Sequence, residues 1–215
     1  KMKKVIIFDL DGTLLYTLED LMNSVNYALN KYAYPTRTME EISSFVGNGV
    51  KHLLKQALPQ GIEDNEFEQC FDCFKEHNSE HCCELTHPYE GVLETLKILK
   101  DKGLKIGIVS NKFQSAAEEV CEFYFKDLYD IVMGESEECR RKPSPDGINK
   151  ICERYGVEKD EVIFFGDSEV DIKTAENASV YCVSVLWGFR DREFLTENGA
   201  SLFVNNPLDI VDMID

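Results

Sequence analysis

Two carboxylates one residue apart, in Asp9-Leu10-Asp11, end a short apolar run and are followed at once by Gly12-Thr13-Leu14. Two more stand four apart in Gly166-Asp167-Ser168-Glu169-Val170-Asp171, again directly after an apolar run. Acids so placed suit nucleophilic attack, proton transfer or the binding of a hard cation. Each pair also has a purely structural reading. Asp-Gly is a common turn dipeptide, and Asp167 and Asp171 would share a face in the favourable first turn of a helix. Two polar segments join them. Ser110-Asn111-Lys112 reads as a ligand-facing loop or as a helix N-cap. Arg141-Lys142-Pro143-Ser144-Pro145 reads as a fixed lysine or as a Pro-led helix start.

The elements that must position these residues are short β-branched runs alternating with helical patterns. The runs are Lys4–Phe8, Lys105–Val109, Ile131–Met133, Val162–Phe165 and Val180–Val185, with Leu202–Val204 as a further edge. Such alternation predicts an α/β fold, a Rossmann-like parallel sheet with helices on both faces. Residues 16–86 break the rhythm. They hold helical patterns over Leu18–Tyr32, Met39–Phe45, Val50–Leu58 and Asp64–Glu80, and no convincing strand. A crossover needs only about a dozen residues, so the excess predicts an α-helical cap, 16–86, inserted into a core of 1–15 and 87–215.

Ligands of open parallel sheets bind beyond the carboxyl ends of the strands, and all four polar segments fall at that edge. Acids gathered there repel: two unit charges at 4 Å interact by about 4 kcal/mol at an effective dielectric near 20. Something cationic must sit among Asp9, Asp11, Asp167 and Asp171. With oxygen ligands and no neighbouring His or Cys, Mg²⁺ fits best. Carboxylates, a lysine, a hydroxyl and Mg²⁺ together make a phosphate site.

On these segments the sequence resembles the haloacid dehalogenase-like hydrolases. Asp9–Leu14, Ser110–Lys112, Lys142–Pro145 and Gly166–Asp171 stand in the order of that family's four motifs, and the resemblance covers nearly the whole chain, helical cap included. It implies a phosphatase working through an aspartyl-phosphate, with Asp9 as nucleophile and metal ligand. Asp11 would be the general acid, then the base, and its carbonyl a metal ligand. Ser110, with Asn111 beside it, would bind the phosphoryl group, Gly12 and Thr13 would contact substrate, and Lys142 would neutralise both the phosphoryl oxygens and the nucleophile. Asp167 would complete the metal site and Asp171 would belong to or support it. An acid at Asp11 separates the phosphoryl-transfer members from those that dehalogenate.

Val46–Val50, Pro88–Val92 and Trp187–Arg190 are similar to phosphoglycolate phosphatases, which implies a small phosphorylated metabolite such as 2-phosphoglycolate. Gly47, Asn48 and Lys51 would then choose the substrate from the cap, although Lys51 reads equally as a solvated helix residue. Inorganic pyrophosphatases, nucleotidases and sugar-phosphate mutases share the motifs. Tyr16, where many relatives carry an acid, and Ser179, where glycine is common, depart from the pattern.

Composition bounds the alternatives. The 40 acidic residues against 23 basic ones give a net charge of -17 and no basic stripe for a nucleic-acid backbone. No run approaches the ~20 apolar residues of a membrane span. A cytoplasmic monomer or homodimer is the expectation. A Gly-x-Gly-x-x-Gly turn after the first strand, needed for a dinucleotide, is absent. Of eight cysteines, Cys70, Cys73, Cys82 and Cys83 lie near His77 and His81, as reduced core thiols, a structural zinc site or a redox-sensitive patch.

Overall fold

The computed structural model describes residues 1–214. Contacts divide the chain into two compact units, Lys1–Leu15 with Pro88–Asp215, and Tyr16–His87.

The first unit is built on six parallel strands: β1 (Val5–Phe8), β4 (Lys105–Phe113), β5 (Ile131–Glu135), β6 (Val162–Gly166), β7 (Tyr181–Val185) and β8 (Phe203–Val204). Their order is β5-β4-β1-β6-β7-β8. All four residues of β1 are buried, because both faces of this central strand are covered, and β-branched side chains fit such a position. Helices α5 (Val92–Asp101), α6 (Gln114–Phe125), α7 (Asp146–Tyr155), α8 (Glu169–Ala178), α9 (Arg192–Glu197) and α10 (Asp209–Ile214) complete the unit. Val5 and Ile7 pack with Ile148 and Ile151 of α7 and Ala175 of α8. The opposite face of β1 carries Phe8, which shares an apolar crevice with Val92 and Leu96 of α5 and Ile210 of α10. Helices therefore cover both faces of the sheet.

One strand is longer than expected. Rather than ending at Val109 before a helix cap, β4 continues through Ser110-Asn111-Lys112 to Phe113, with a register shift after Val109. The neighbouring β5 draws it on. Phe113 pairs with Glu135, and the Gln114 side chain accepts from the Gly134 N–H and donates to the Val132 carbonyl. A Cβ on Gly134 would lie 2.7 Å from the Lys112 carbonyl oxygen, so glycine is what allows the two chains to approach.

The second unit is helical: α1 (Leu18–Lys31), α2 (Met39–Phe45), α3 (Val50–Ala57) and α4 (Asp64–His81). Helix α1 buries Leu18, Leu21, Val25, Ala28 and Leu29, the 3.6-residue stripe of a core-facing helix, and packs on α4, which buries Phe67, Cys70, Phe71 and Phe74. Thr38 and Glu41 form a capping box at α2. Gly47 and Gly49 turn the chain into α3 with φ of 122° and 88°, values that cost a side chain dearly. Against the expectation of no strand in 16–86, Tyr16 belongs to β2 (Leu15–Tyr16), which pairs with β3 (His87–Pro88). Among the described residues no helix is long and apolar enough to cross a membrane.

Candidate active site

Strands β1 and β6 are neighbours in register, Phe8 opposite Phe165. The residues just past them, Asp9 and Asp167, are therefore brought to one place. The Asp9 N–H donates to the Phe165 carbonyl at 2.9 Å. Asp9, Asp167 and Asp171 are all buried, and one ligand oxygen from each lies within 4.8 Å of the others. Asp167 and Asp171 do not share a helix face, as the spacing predicted, because α8 begins only at Glu169. A capping box joins them instead: Asp171 Oδ2 accepts from the N–H of Asp167 (3.1 Å), the N–H of Ser168 (3.2 Å) and Ser168 Oγ (3.2 Å). A Cβ on Gly166 would stand 2.3 Å from Asp171 Cβ, so that fold-back requires glycine there.

Lys142 enters from the loop before α7 and is 3% exposed. Its ammonium donates to Asp9 Oδ1 and to Asp171 Oδ1, both at 2.7 Å. Asn111 fixes this loop: its Oδ1 accepts from the Lys142 N–H (2.7 Å), and its Nδ2 donates to the Lys142 carbonyl (3.2 Å). Asn111, expected to lie against the phosphoryl group, spends its amide on the backbone of the lysine. Ser110 is buried and accepts from the Lys112 N–H at 3.1 Å.

Asp11 stands apart from the three clustered carboxylates. Its Oδ1 is buried without a hydrogen bond and lies 3.3 Å from Lys112 Nζ. Lys112, 9% exposed, was not singled out from sequence. Its signal was its place in a polar segment at the functional edge. Gly12 and Thr13, expected to contact substrate, bear on Asp167. Gly12 has φ +86° and a Cβ there would lie 2.3 Å from Asp167 Oδ2, while Thr13 Oγ1 donates to Asp167 Oδ1 at 3.2 Å.

The loop after β7 supplies the rest of the frame. Trp187 Nε1 donates to the Thr13 carbonyl at 2.9 Å, and the Phe189 N–H to Asp167 Oδ2 at 3.0 Å. Between them a Cβ on Gly188 would meet the Gly12 carbonyl at 2.3 Å and Asp167 Cβ at 2.4 Å. In the sequence, Trp187–Arg190 is a mark of kinship. Its physical role is to brace the Asp9–Thr13 loop against Asp167.

Charge in this pocket is unbalanced. Three carboxylates face one ammonium. Burial and the Asp171 charge push Asp9 well above the usual carboxylate range, against the pull of Lys142. Burial and Asp171 likewise raise Asp167, to about 6. Burial alone would lower the Lys142 ammonium, but Asp171 and Asp9 outweigh it and hold it above its ordinary value. Asp171 meets the Lys142 ammonium through Oδ1 and three capping-box donors through Oδ2, so it fixes the other groups in place. Asp9 and Asp167 retain the capacity to hold a hard divalent cation, and such an ion would remove the repulsion that raises them.

The remaining candidates belong to the helical unit. Gly47 and Asn48 lie in the turn before α3, and Lys51 stands in its first turn, half exposed and 3.7 Å from Glu68. None of the eight cysteines is in a disulfide. Among the described residues, Asp9, Asp167 and Asp171 are the one group of His, Cys, Asp or Glu side chains gathered closely enough to hold a metal ion. Cys70 and Cys73 are buried, and burial pushes their thiols up, Cys70 to about 11.

Comparison with known proteins agrees with this geometry. The model of the haloacid dehalogenase-like hydrolase family matches residues 6–185. A phosphoglycolate phosphatase of Haemophilus influenzae is 32% identical over 91% of this chain and 91% of its own length. Pyrophosphatase PpaX of Bacillus mycoides is 31% identical over 88% and 86%. Among solved structures, a protein of Lactobacillus delbrueckii described as a candidate phosphoglycolate phosphatase superposes with a TM-score of 0.93 at 32% identity, covering 100% of this chain and 99% of that one. The matched span contains all four strand-end segments, and the chain belongs to the haloacid dehalogenase-like hydrolases.

Proposed function

We propose that this protein is a Mg²⁺-dependent phosphatase that hydrolyses a small phosphomonoester, 2-phosphoglycolate or a close analogue, through a phosphoryl group carried on Asp9. The observation that supports it most is the pairing of Asp9 with Lys142 at 2.7 Å beside Asp167. That is a buried carboxylate nucleophile with a cation on one oxygen and a second carboxylate alongside. Asp9, Asp167 and the Asp11 carbonyl would hold Mg²⁺, which when bound offsets the charge of the phosphoryl oxygens. An Asp9 oxygen attacks phosphorus and the ester oxygen leaves, taking a proton from Asp11. Asp11 then accepts a proton from water, which attacks phosphorus, breaks the acyl phosphate and returns Asp9. Splitting the reaction this way replaces one hard displacement with two easier ones.

Lys142 neutralises charge on the transferring group, Ser110 Oγ donates to it, and Lys112 holds Asp11 in position. The inserted helical unit serves as a cap, and Gly47, Asn48 and Lys51 are its candidates for substrate choice. The reaction belongs to the cytoplasm. The identity with phosphoglycolate phosphatases supports the substrate class, and that with a pyrophosphatase names its main rival.

Phosphate release from 2-phosphoglycolate, pyrophosphate, sugar phosphates and nucleotides, with Mg²⁺ and with chelator, tests the proposal. Preference for 2-phosphoglycolate, lost in Asp9→Asn and with chelator, is the expected result. Preference for pyrophosphate would reassign the substrate and keep the chemistry. No turnover of any ester would overturn both.

A further inference from the structure

The eight cysteines do not share one environment. Cys70, Cys73, Cys121, Cys139 and Cys152 are buried. Cys182 is partly exposed, with a thiol pushed up to about 12 by burial and by Asp171. Cys82 and Cys83 are different. They are adjacent in the chain, both partly exposed, and their sulfurs stand 3.5 Å apart.

The pair is held there from both sides. Cys82 caps the end of α4. Two residues beyond Cys83, the Leu85 N–H donates to both oxygens of Asp20, and the Thr86 N–H and Oγ1 donate to Asp20 Oδ2, each at 2.7 Å. His81 and Glu84 meet across the pair, Nδ1 to Oε1 at 2.5 Å. Fixed flanks keep two reactive atoms close without loss of entropy at the moment of reaction.

We propose that Cys82 and Cys83 are a reversible oxidation site, closing to a vicinal disulfide when a peroxide is present. One thiolate attacks a peroxide oxygen, the O–O bond breaks, and a sulfenic acid and hydroxide form, the hydroxide becoming water with the proton the thiol gave up on ionising. The neighbouring thiolate then attacks the sulfenic sulfur, the S–S bond forms, the S–O bond breaks, and hydroxide leaves as a second water. Two electrons pass from the two sulfurs to the peroxide. The bond so formed is labile for a geometric reason. The peptide joining the residues is trans, which sets their Cα atoms about 3.8 Å apart, closer than the roughly 4.4 Å at the lower end of ordinary disulfides. Strained disulfides are the readily reduced, regulatory kind.

The test is peptide mass mapping of the full-length protein after treatment with hydrogen peroxide and an alkylating quench. The expected result is that the peptide carrying Cys82 and Cys83 becomes two hydrogens lighter, with no cross-link between chains, and that a dithiol reductant restores both thiols. In Cys82→Ser and in Cys83→Ser, the remaining thiol should instead stop as a sulfenic acid captured by dimedone. The proposal is overturned if both thiols stay alkylatable while other cysteines oxidise. It is equally overturned if either sulfur pairs with a different cysteine or goes to sulfinic acid without the disulfide.

Discussion

Both units of this protein bury a carboxylate at the start of a chain crossing, and the two are treated in opposite ways. In the helical unit Asp20, 3% exposed, is met by the N–H of Leu85 and by the N–H and hydroxyl of Thr86. It clips the first helix to the far end of the insertion, and its charge is answered by neutral donors aimed at it. At the strand ends of the sheet unit, Asp9 and Asp167 sit against a third carboxylate with one ammonium among them. A satisfied buried acid is a structural clasp. A buried acid held beside other acids is suited to hold a cation.

That contrast can be broken by substitution. Asp9→Asn should lower turnover by about 10⁴-fold or more, since it removes the proposed nucleophile, while its thermal midpoint stays level or rises because a repelling charge is gone. A fall in the midpoint would make Asp9 a clasp after all. Lys142→Met leaves Asp9 and Asp171 unpaired, so urea unfolding without metal should show a loss of about 3–5 kcal/mol; no loss would mean the lysine holds nothing together. Asp20→Ala strands the donors of Leu85 and Thr86 and should cost about 3 kcal/mol in the same assay. It should leave the affinity for Mg²⁺ unchanged in calorimetry, and a weakened affinity would blur the distinction. Finally, Mg²⁺ at a hundredfold its dissociation constant should stabilise the parent protein by about 2.7 kcal/mol and Asp167→Asn by clearly less. Equal stabilisation would place the ion elsewhere.

The sheet and its functional edge were legible because the parallel strands are nearly continuous apolar runs, each stopping where chemistry-bearing residues begin. What stayed hidden depends on contacts distant in sequence. Nothing near Lys112 announces its approach to Asp11, because the continuation of β4 past Val109 is set by β5. The paths of Asn111 to the Lys142 backbone and of Trp187 to Thr13 cross 31 and 174 residues respectively. Spacing alone placed Asp167 and Asp171 together for the wrong reason: the four-residue interval suggested a shared helical face, and a capping box produced the meeting. Asp20 was invisible for a similar cause, since an acid in a helix's first turn needs no partner to make sense there.

The most direct test of the central claim is chemical trapping of Asp9. Protein mixed with 2-phosphoglycolate and Mg²⁺ would be quenched in acid within the first turnover, treated with borohydride, which reduces an acyl phosphate to a primary alcohol, and mapped by mass spectrometry. The account predicts reduction confined to the Asp9 carboxylate and dependent on substrate. Phosphate release with Asp9 never reduced, or with the label on another residue, would contradict it.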